Sequence, residues 1–362
     1  MKGILVLEDG TVFEGLSIGV AGEWIGEVVL NTAVVGYQEI MTDPANAGKI
    51  MILTYPLIGN YGVAAKFNKS QRCWIGALVI KEASRIYSNW QAEDSFDHFL
   101  KREKVVAISE IDTRTLAIKI RDQGEMLGMV STRKAKPEAL LRKLQGYRRQ
   151  ARPAWIARIS TGKITRIQGQ GNGLRLGILD LGLTRSLLKQ IQGLAGTLWV
   201  LPHDTPAAKI QGLKLDGLIV SNGPEADPAL PAVAKNLKAL VGHLPILAIS
   251  TGHEVMALAL GGKLKRLAVG HHGVNYPACA PASTKGEITV QNHSWVVEED
   301  SISGRPKIAV TLRNVNDQTI EEMESKALRF ISTQYDPKSP GFDELHPVFD
   351  RFRSLIGKEK RS

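Results

Sequence analysis

Cysteine is nearly absent from this chain: Cys73 and Cys279 are the only two in 362 residues. That excludes a disulfide framework and a thiolate cluster for zinc, and both side chains are expected to be reduced, small and apolar. Aromatic residues are also sparse, at 6%, which argues against a base-stacking nucleic-acid surface. No apolar run approaches the roughly 18 residues needed to span a bilayer. The first residues, Met1-Lys-Gly-Ile-Leu-Val-Leu-Glu-Asp-Gly10, meet acids too early for a secretory signal, so a cytoplasmic protein without membrane attachment is expected.

What is present is a chain 43% hydrophobic, long enough for two ordinary domains, with a formal net charge of +10. Much of the excess lies between Arg133 and Arg166, where residues such as Lys143, Arg148, Arg149 and Arg158 face the single acid Glu138. A solvated basic linker is the reading preferred there over a nucleic-acid surface.

The pattern changes along the chain. Up to about Thr132 it is rich in short strands and turns: Gly3–Leu7, a hairpin turn at Asp9-Gly10, Thr11–Phe13 and Gly26–Leu30. Helices are expected over Phe96–Lys101 and Arg114–Gln123, the second capped by Asp112-Thr113. The basic stretch then runs into Gln168-Gly-Gln-Gly-Asn-Gly173, which marks the boundary. The expected organisation is an amino-terminal domain over 1–150, a basic and glycine-rich linker over 151–173, and a second domain over 174–362. In the last part strands at Leu174–Leu179, Thr197–Leu201, Gly217–Ser221 and Ile246–Ile249 alternate with helices at Thr184–Gly193 and near Pro206. Such alternation predicts a parallel sheet covered by helices, hence an α/β class with a β-rich first domain.

The most informative stretch is Leu247-Ala-Ile-Ser-Thr-Gly-His-Glu254. It reads as a buried strand, a tight turn with Ser250 at its apex, and a helix whose amino terminus faces the turn, the arrangement that presents a nucleophile beside oxyanion-binding N–H groups. A serine there needs a base. Of the eight histidines, His253 is too close in sequence to serve easily, His271 and His272 lie in Gly270-His-His-Gly273, and His293 lies in Gln291-Asn-His-Ser-Trp295, expected as a turn. None is followed by a carboxylate at a triad-like spacing, so structural hydrogen bonding is expected of each. Ser221-Asn-Gly-Pro224 is expected as a second turn at the sheet's carboxyl edge.

Taken in order, these motifs resemble the small subunit of carbamoyl-phosphate synthetase. The likeness runs through Leu7-Glu-Asp-Gly-Thr11, Gly36-Tyr-Gln-Glu39, Thr54-Tyr-Pro-Leu-Ile-Gly-Asn60 and Ile111-Asp-Thr-Arg114, then Ser221-Asn-Gly-Pro224, Gly252-His253, Gly270-His-His-Gly273, Gln291-Asn-His293 and Ser339-Pro-Gly341. The resemblance implies a β-rich small-subunit domain followed by a flavodoxin-like, class I glutamine amidotransferase-like domain. In that family glutamine is hydrolysed through a cysteine thioester, and the ammonia released passes to a large subunit. The resemblance therefore implies a large-subunit partner, with ATP and metal on that subunit, and no cofactor in this chain.

Carried over position by position, the family's catalytic cysteine falls on Ser250, its histidine on Tyr335 and its glutamate on Pro337, within Thr333-Gln-Tyr-Asp-Pro337. At the glutamine contacts Gly223 and Asn292 match, while Thr251, Glu254, Ser294 and Trp295 are substituted, and the family's Asn-Gly-Pro-Gly turn is Asn222-Gly-Pro-Glu225. Serine depends wholly on a base, and a phenol of pKa about 10 is a poor substitute for an imidazole. The expectation is a subunit without glutaminase activity, acting in assembly or regulation of an ammonia-dependent synthetase. Two alternatives stand beside it: a scaffold or ligand-binding paralogue whose pocket, made acidic by Glu225 and Glu254 and bulky by Trp295, suits a cation or amine, and a serine hydrolase built on Ser250.

Overall fold

The computed structural model describes residues 2–147, 152–171, 173–283, 285–302, 304–305, 307–338 and 345–357. Arg148, Arg149, Asn172 and the Ser339-Pro-Gly341 motif lie outside the described residues. Two compact units are formed: Met1–Arg152 with Ala268–His272, and Pro153–Leu267 with Gly273–Ser362.

The first unit is built on a closed barrel of seven strands: β1 Lys2–Leu7, β2 Val12–Gly19, β3 Glu23–Asn31, β4 Ile50–Ile58, β5 Ala77–Ala83, β6 Val106–Ser109 and β7 Leu127–Ser131, in the order β1-β2-β6-β5-β4-β3-β7. Closure removes the unpaired edges that a short sheet would otherwise expose. Alternate residues fill the interior, among them Leu5, Leu7, Val28, Ile52, Val79 and Ile108. The helix Thr113–Gln123 begins at the Asp112 cap, whose carboxylate accepts from Thr115 N at 3.0 Å. Glu125 holds the Ala268–His272 segment, accepting from Gly270 N at 2.9 Å and facing His272 Nε2 at 3.3 Å.

In the second unit the strands are β8 Thr165–Gln168, β9 Arg175–Asp180, β10 Thr197–Pro202, β11 Gly217–Val220, β12 Ile246–Ile249, β13 Leu264–Cys279, β14 Gly286–Val297, β15 Ala309–Asn314, β16 Ile320–Ser325 and β17 Phe330–Thr333. They form one sheet ordered β14-β13-β15-β16-β17-β12-β11-β9-β10-β8. Its parallel part, β10-β9-β11-β12-β17, has the flavodoxin-like order 2-1-3-4-5. Ile246 and Ala248 face one apolar layer with Val233, Leu237, Val255 and Met256, while Leu247 and Ile249 face another with Leu187, Ile191, Phe349 and Phe352. Burial on both faces explains why the strand is a continuous apolar run rather than an alternating one.

The expected basic linker is corrected by the structure. Pro137–Tyr147 is a helix that buries Leu140 and Leu144, and Lys143 reaches Glu23 at 2.7 Å. Ile156–Ile159 is a short helix, and β8 pairs antiparallel with β10. The glycines of 169–171 are not there for flexibility: a Cβ on Gly169 would lie 1.8 Å from the Ala195 carbonyl, and Gly169, Gln170 and Gly171 donate to the Gly196, Gln192 and Ala195 carbonyls. Charge had hidden the apolar residues spaced four apart beneath it. No helix among the described residues is long and apolar enough to cross a membrane.

Asp227 anchors this segment. Its buried carboxylate accepts from Trp155 N at 2.7 Å, Ile156 N at 3.0 Å and Ala229 N at 2.9 Å. Asp227→Ala is expected to cost about 2–3 kcal/mol through the orphaned donors. Hydrogen exchange should show the Trp155 and Ile156 amides losing protection ahead of β8; unchanged protection would mean that the segment is held by something else.

Candidate active site

The strand β12 ends at Ile249, and Ser250 follows with φ 55 and ψ −114, immediately before the helix Thr251–Ala259. A left-handed φ on a residue that is not glycine is strained, and here the surroundings impose it. Ser250 N donates to Thr333 O at 2.7 Å, and Ser250 O accepts from His253 N at 2.7 Å. Gly252 lets the helix sit against β11, because a Cβ there would lie 2.4 Å from the Val220 carbonyl. The elbow expected from the sequence is therefore present, with Ser250 buried at its apex.

Register assembles the rest of the sheet's carboxyl edge. Val220 pairs with Ala248, and Ile249 with Thr333. Asn222, Ser250 and Gln334 follow the carboxyl ends of β11, β12 and β17. Asn222 and Gln334 are buried, and the Asn222 Oδ1 and both amide atoms of Gln334 have no hydrogen-bond partner among the described residues. Buried amide groups of this kind call for a ligand or a water to satisfy them.

His253, the imidazole nearest Ser250 in sequence, is poorly suited to activate it. His253 is fully buried, with Nδ1 3.0 Å from Ser332 Oγ. Burial, opposed only in part by the Ser332 contact, lowers its pKa to about 3. Taking up a proton is therefore unfavourable for it near neutral pH. His293 is held at both ring nitrogens, with Nε2 2.9 Å from Gln291 Oε1 and Nδ1 3.0 Å from the Trp295 carbonyl. The stretch 291–295 lies inside β14, which corrects the expected turn; Gly270–Gly273 likewise lies inside β13.

Tyr335 and Pro337 follow β17 closely in sequence. Tyr335 is almost completely buried, and its hydroxyl donates to Glu322 Oε2 at 3.0 Å. Burial first, then the carboxylates of Glu322 and Glu287, raise the phenol well above the ordinary tyrosine pKa, so it stays protonated. Glu322 is itself fully buried and receives Arg351 Nη1 at 2.8 Å, Arg351 Nη2 and the Thr311 hydroxyl. Pro337 offers only its carbonyl, which accepts from Gln190 Nε2 at 3.4 Å. Glu322 and Arg351 escaped the sequence reading; the sole signal was a run of acids in the otherwise buried strand Ile320–Ser325.

The substituted contacts are engaged internally. Thr251 Oγ1 donates to Gly223 O at 2.5 Å, joining the elbow helix to the turn after β11. Glu225 accepts from Ser294 N at 2.8 and 2.9 Å and from Trp295 N at 2.9 Å. The acidic pocket expected for a cation or amine is corrected in this respect: the Glu225 carboxylate is turned onto backbone N–H groups. Glu254 is fully buried on the elbow helix, and Asn292 lies half-buried on β14.

The His253 environment generates a pH dependence. Its folded pKa of about 3 lies below the ordinary 6.5, so the unfolded chain binds the extra proton, and the stability is complete above 6.5 and lost as pH falls toward 3. The slope between those limits approaches about 1.4 kcal/mol per pH unit. Urea unfolding of the native protein and of His253→Gln at intervals from about pH 7.5 to about pH 4.5, across the upper part of that window, should show a shallower loss in the variant. Parallel curves would contradict the assignment.

Two family models match the chain: Carbamoyl-phosphate synthase small chain, CPSase domain, over residues 5–130, and Glutamine amidotransferase class-I over residues 177–355. The carbamoyl phosphate synthase small chain of Syntrophotalea carbinolica is 37% identical over 100% of both chains. That of Clostridium acetobutylicum is 36% identical over 98% of this chain and 100% of its own. The carbamoyl phosphate synthase pyrimidine-specific small chain of Bacillus subtilis is 35% identical over 98% and 96%. Full-length similarity of this degree, on a flavodoxin-like sheet with a Ser250 elbow, places the chain in the carbamoyl-phosphate synthase small-chain family.

Proposed function

We propose that this small chain does not hydrolyse glutamine and serves as an assembly or regulatory subunit of an ammonia-dependent carbamoyl-phosphate synthetase. The observation that carries the reading lies at the triad-equivalent positions: the Tyr335 hydroxyl donates to Glu322 and position 337 is a proline, while the neighbouring His253 is buried, with Nδ1 on Ser332 Oγ and its pKa lowered to about 3. A serine hydroxyl at the elbow gains nothing from a protonated phenol. Removing a single triad member from a competent hydrolase costs a factor of about 10⁴ to 10⁶ in turnover, and here all three positions differ. The serine hydrolase alternative lacks support for the same reason.

In this reading the large subunit carries ATP and metal, this chain holds no cofactor, and both work in the cytoplasm. The amino-terminal barrel keeps the motifs of its family, and a chain retained for assembly has reason to keep them. Copurification with a large subunit and assay of the pair tests the proposal. Carbamoyl phosphate should form with ammonium, and glutamine should give no synthesis above background. Glutamine-dependent synthesis abolished by Ser250→Ala would overturn it, and failure to coelute would favour the scaffold alternative.

A further inference from the structure

We infer that the backbone N–H groups of Ser294 and Trp295 form a carboxylate-binding nest, and that Glu225 closes it as a tethered substitute for a free carboxylate ligand. Three contacts of 2.8–2.9 Å connect one side-chain carboxylate to two successive N–H groups, and Ser294 N reaches both oxygens. In a regular strand successive N–H groups point to opposite edges. Two that converge on one carboxylate are arranged as an anion-binding concavity.

The nest adjoins the elbow through the turn that carries Glu225. Thr251 Oγ1 on the elbow helix donates to Gly223 O, two residues before Glu225. On the other side of Ala226, Asp227 is fixed by its contacts to Trp155, Ile156 and Ala229. Between these anchors Ala226 is held at φ 49, a left-handed conformation that costs a residue with a Cβ about 1–2 kcal/mol. Strain of this kind persists where neighbouring contacts over-determine it. The Glu225 contacts on one side and the Asp227 contacts on the other do so here. A short tether gives Glu225 an effective concentration of at least about a millimolar, so a free carboxylate competes at a disadvantage.

The choice of ligand class rests on the reading of this domain as a former glutamine site: the free carboxylate excluded is the α-carboxylate of an amino acid of glutamine type. A tethered anion removes that anchor independently of any loss of catalytic groups. Substituting Ser250 alone would then leave substrate binding impaired.

Isothermal titration of the full chain with L-glutamine and with γ-aminobutyramide, which is glutamine without its α-carboxylate, tests this. Glu225→Gly should bind L-glutamine at least about tenfold more tightly than the native chain, with no gain for γ-aminobutyramide. Glu225→Gln, nearly isosteric but uncharged, should gain less than Glu225→Gly in the same carboxylate-dependent way, and it carries the test if the glycine variant does not fold. Equal gains for both ligands, no gain in a folded variant, or native affinity for L-glutamine as high as that of Glu225→Gly would overturn the inference. The readout is binding, so native glutaminase activity would count against the proposed function alone, and absence of a carboxylate-dependent gain against the nest alone.

Discussion

The Ser250 N–H to Thr333 carbonyl hydrogen bond, at 2.7 Å, ties the end of β12 to the end of β17. It marks where the parallel ladder stops and the elbow starts. With the backbone held there, Ser250 takes its left-handed φ, the helix Thr251–Ala259 starts over β11 because Gly252 has no Cβ, and the sequence after Thr333 begins at the same level of the sheet. Gln334, Tyr335 and Pro337 therefore follow directly on the strand that is bonded to the elbow. The geometry of a nucleophile elbow survives because packing of the sheet and helix requires it, whatever side chain stands at its apex.

At that edge the side chains serve one another. An ionised carboxylate in the position of Glu322 is costly to bury unless its oxygens are satisfied, and Arg351, Tyr335 and Thr311 satisfy them. The Tyr335 hydroxyl keeps its proton within that set, so it offers no base. His253, His293, Thr251 and Glu225 are engaged in the same way. A site for chemistry needs groups whose partners arrive with the substrate; these have found partners within the fold, whereas Asn222 Oδ1 and the Gln334 amide have none among the described residues.

Much of this was legible in the sequence, for identifiable reasons. Four of the five parallel strands, β9 to β12, are apolar runs that could be read directly, whereas the short β17, which ends in Ser332 and Thr333, could not; Asp112 and Thr184 marked helix starts. The elbow could be read because its strand, small residues and helix are contiguous. The linker was misread because its exposed Lys and Arg residues dominate the sequence, while Leu140, Leu144 and Ile156 do the packing. The stretch 291–295 was misread as a turn because Asn, His and Ser suit turns, whereas it lies in β14, where His293 and Gln291 bond one another and Gln291 Nε2 and Asn314 Nδ2 donate to Glu321 at 2.7 and 2.9 Å. Glu322 and Arg351 were invisible as a pair because 29 residues separate them and only the sheet and the Pro347–Ile356 helix bring them together.

The central claim is that the elbow has kept its shape and lost its base. A cysteine placed at the apex, Ser250→Cys, reports on this directly through the pH profile of its alkylation by iodoacetamide, followed by site-resolved mass spectrometry so that Cys73 and Cys279 are counted apart. With no base beside it, the thiol should titrate at or above the ordinary cysteine value of about 8.5. An apparent pKa below about 7 would mean that a group in the site stabilises the thiolate, and would contradict the claim.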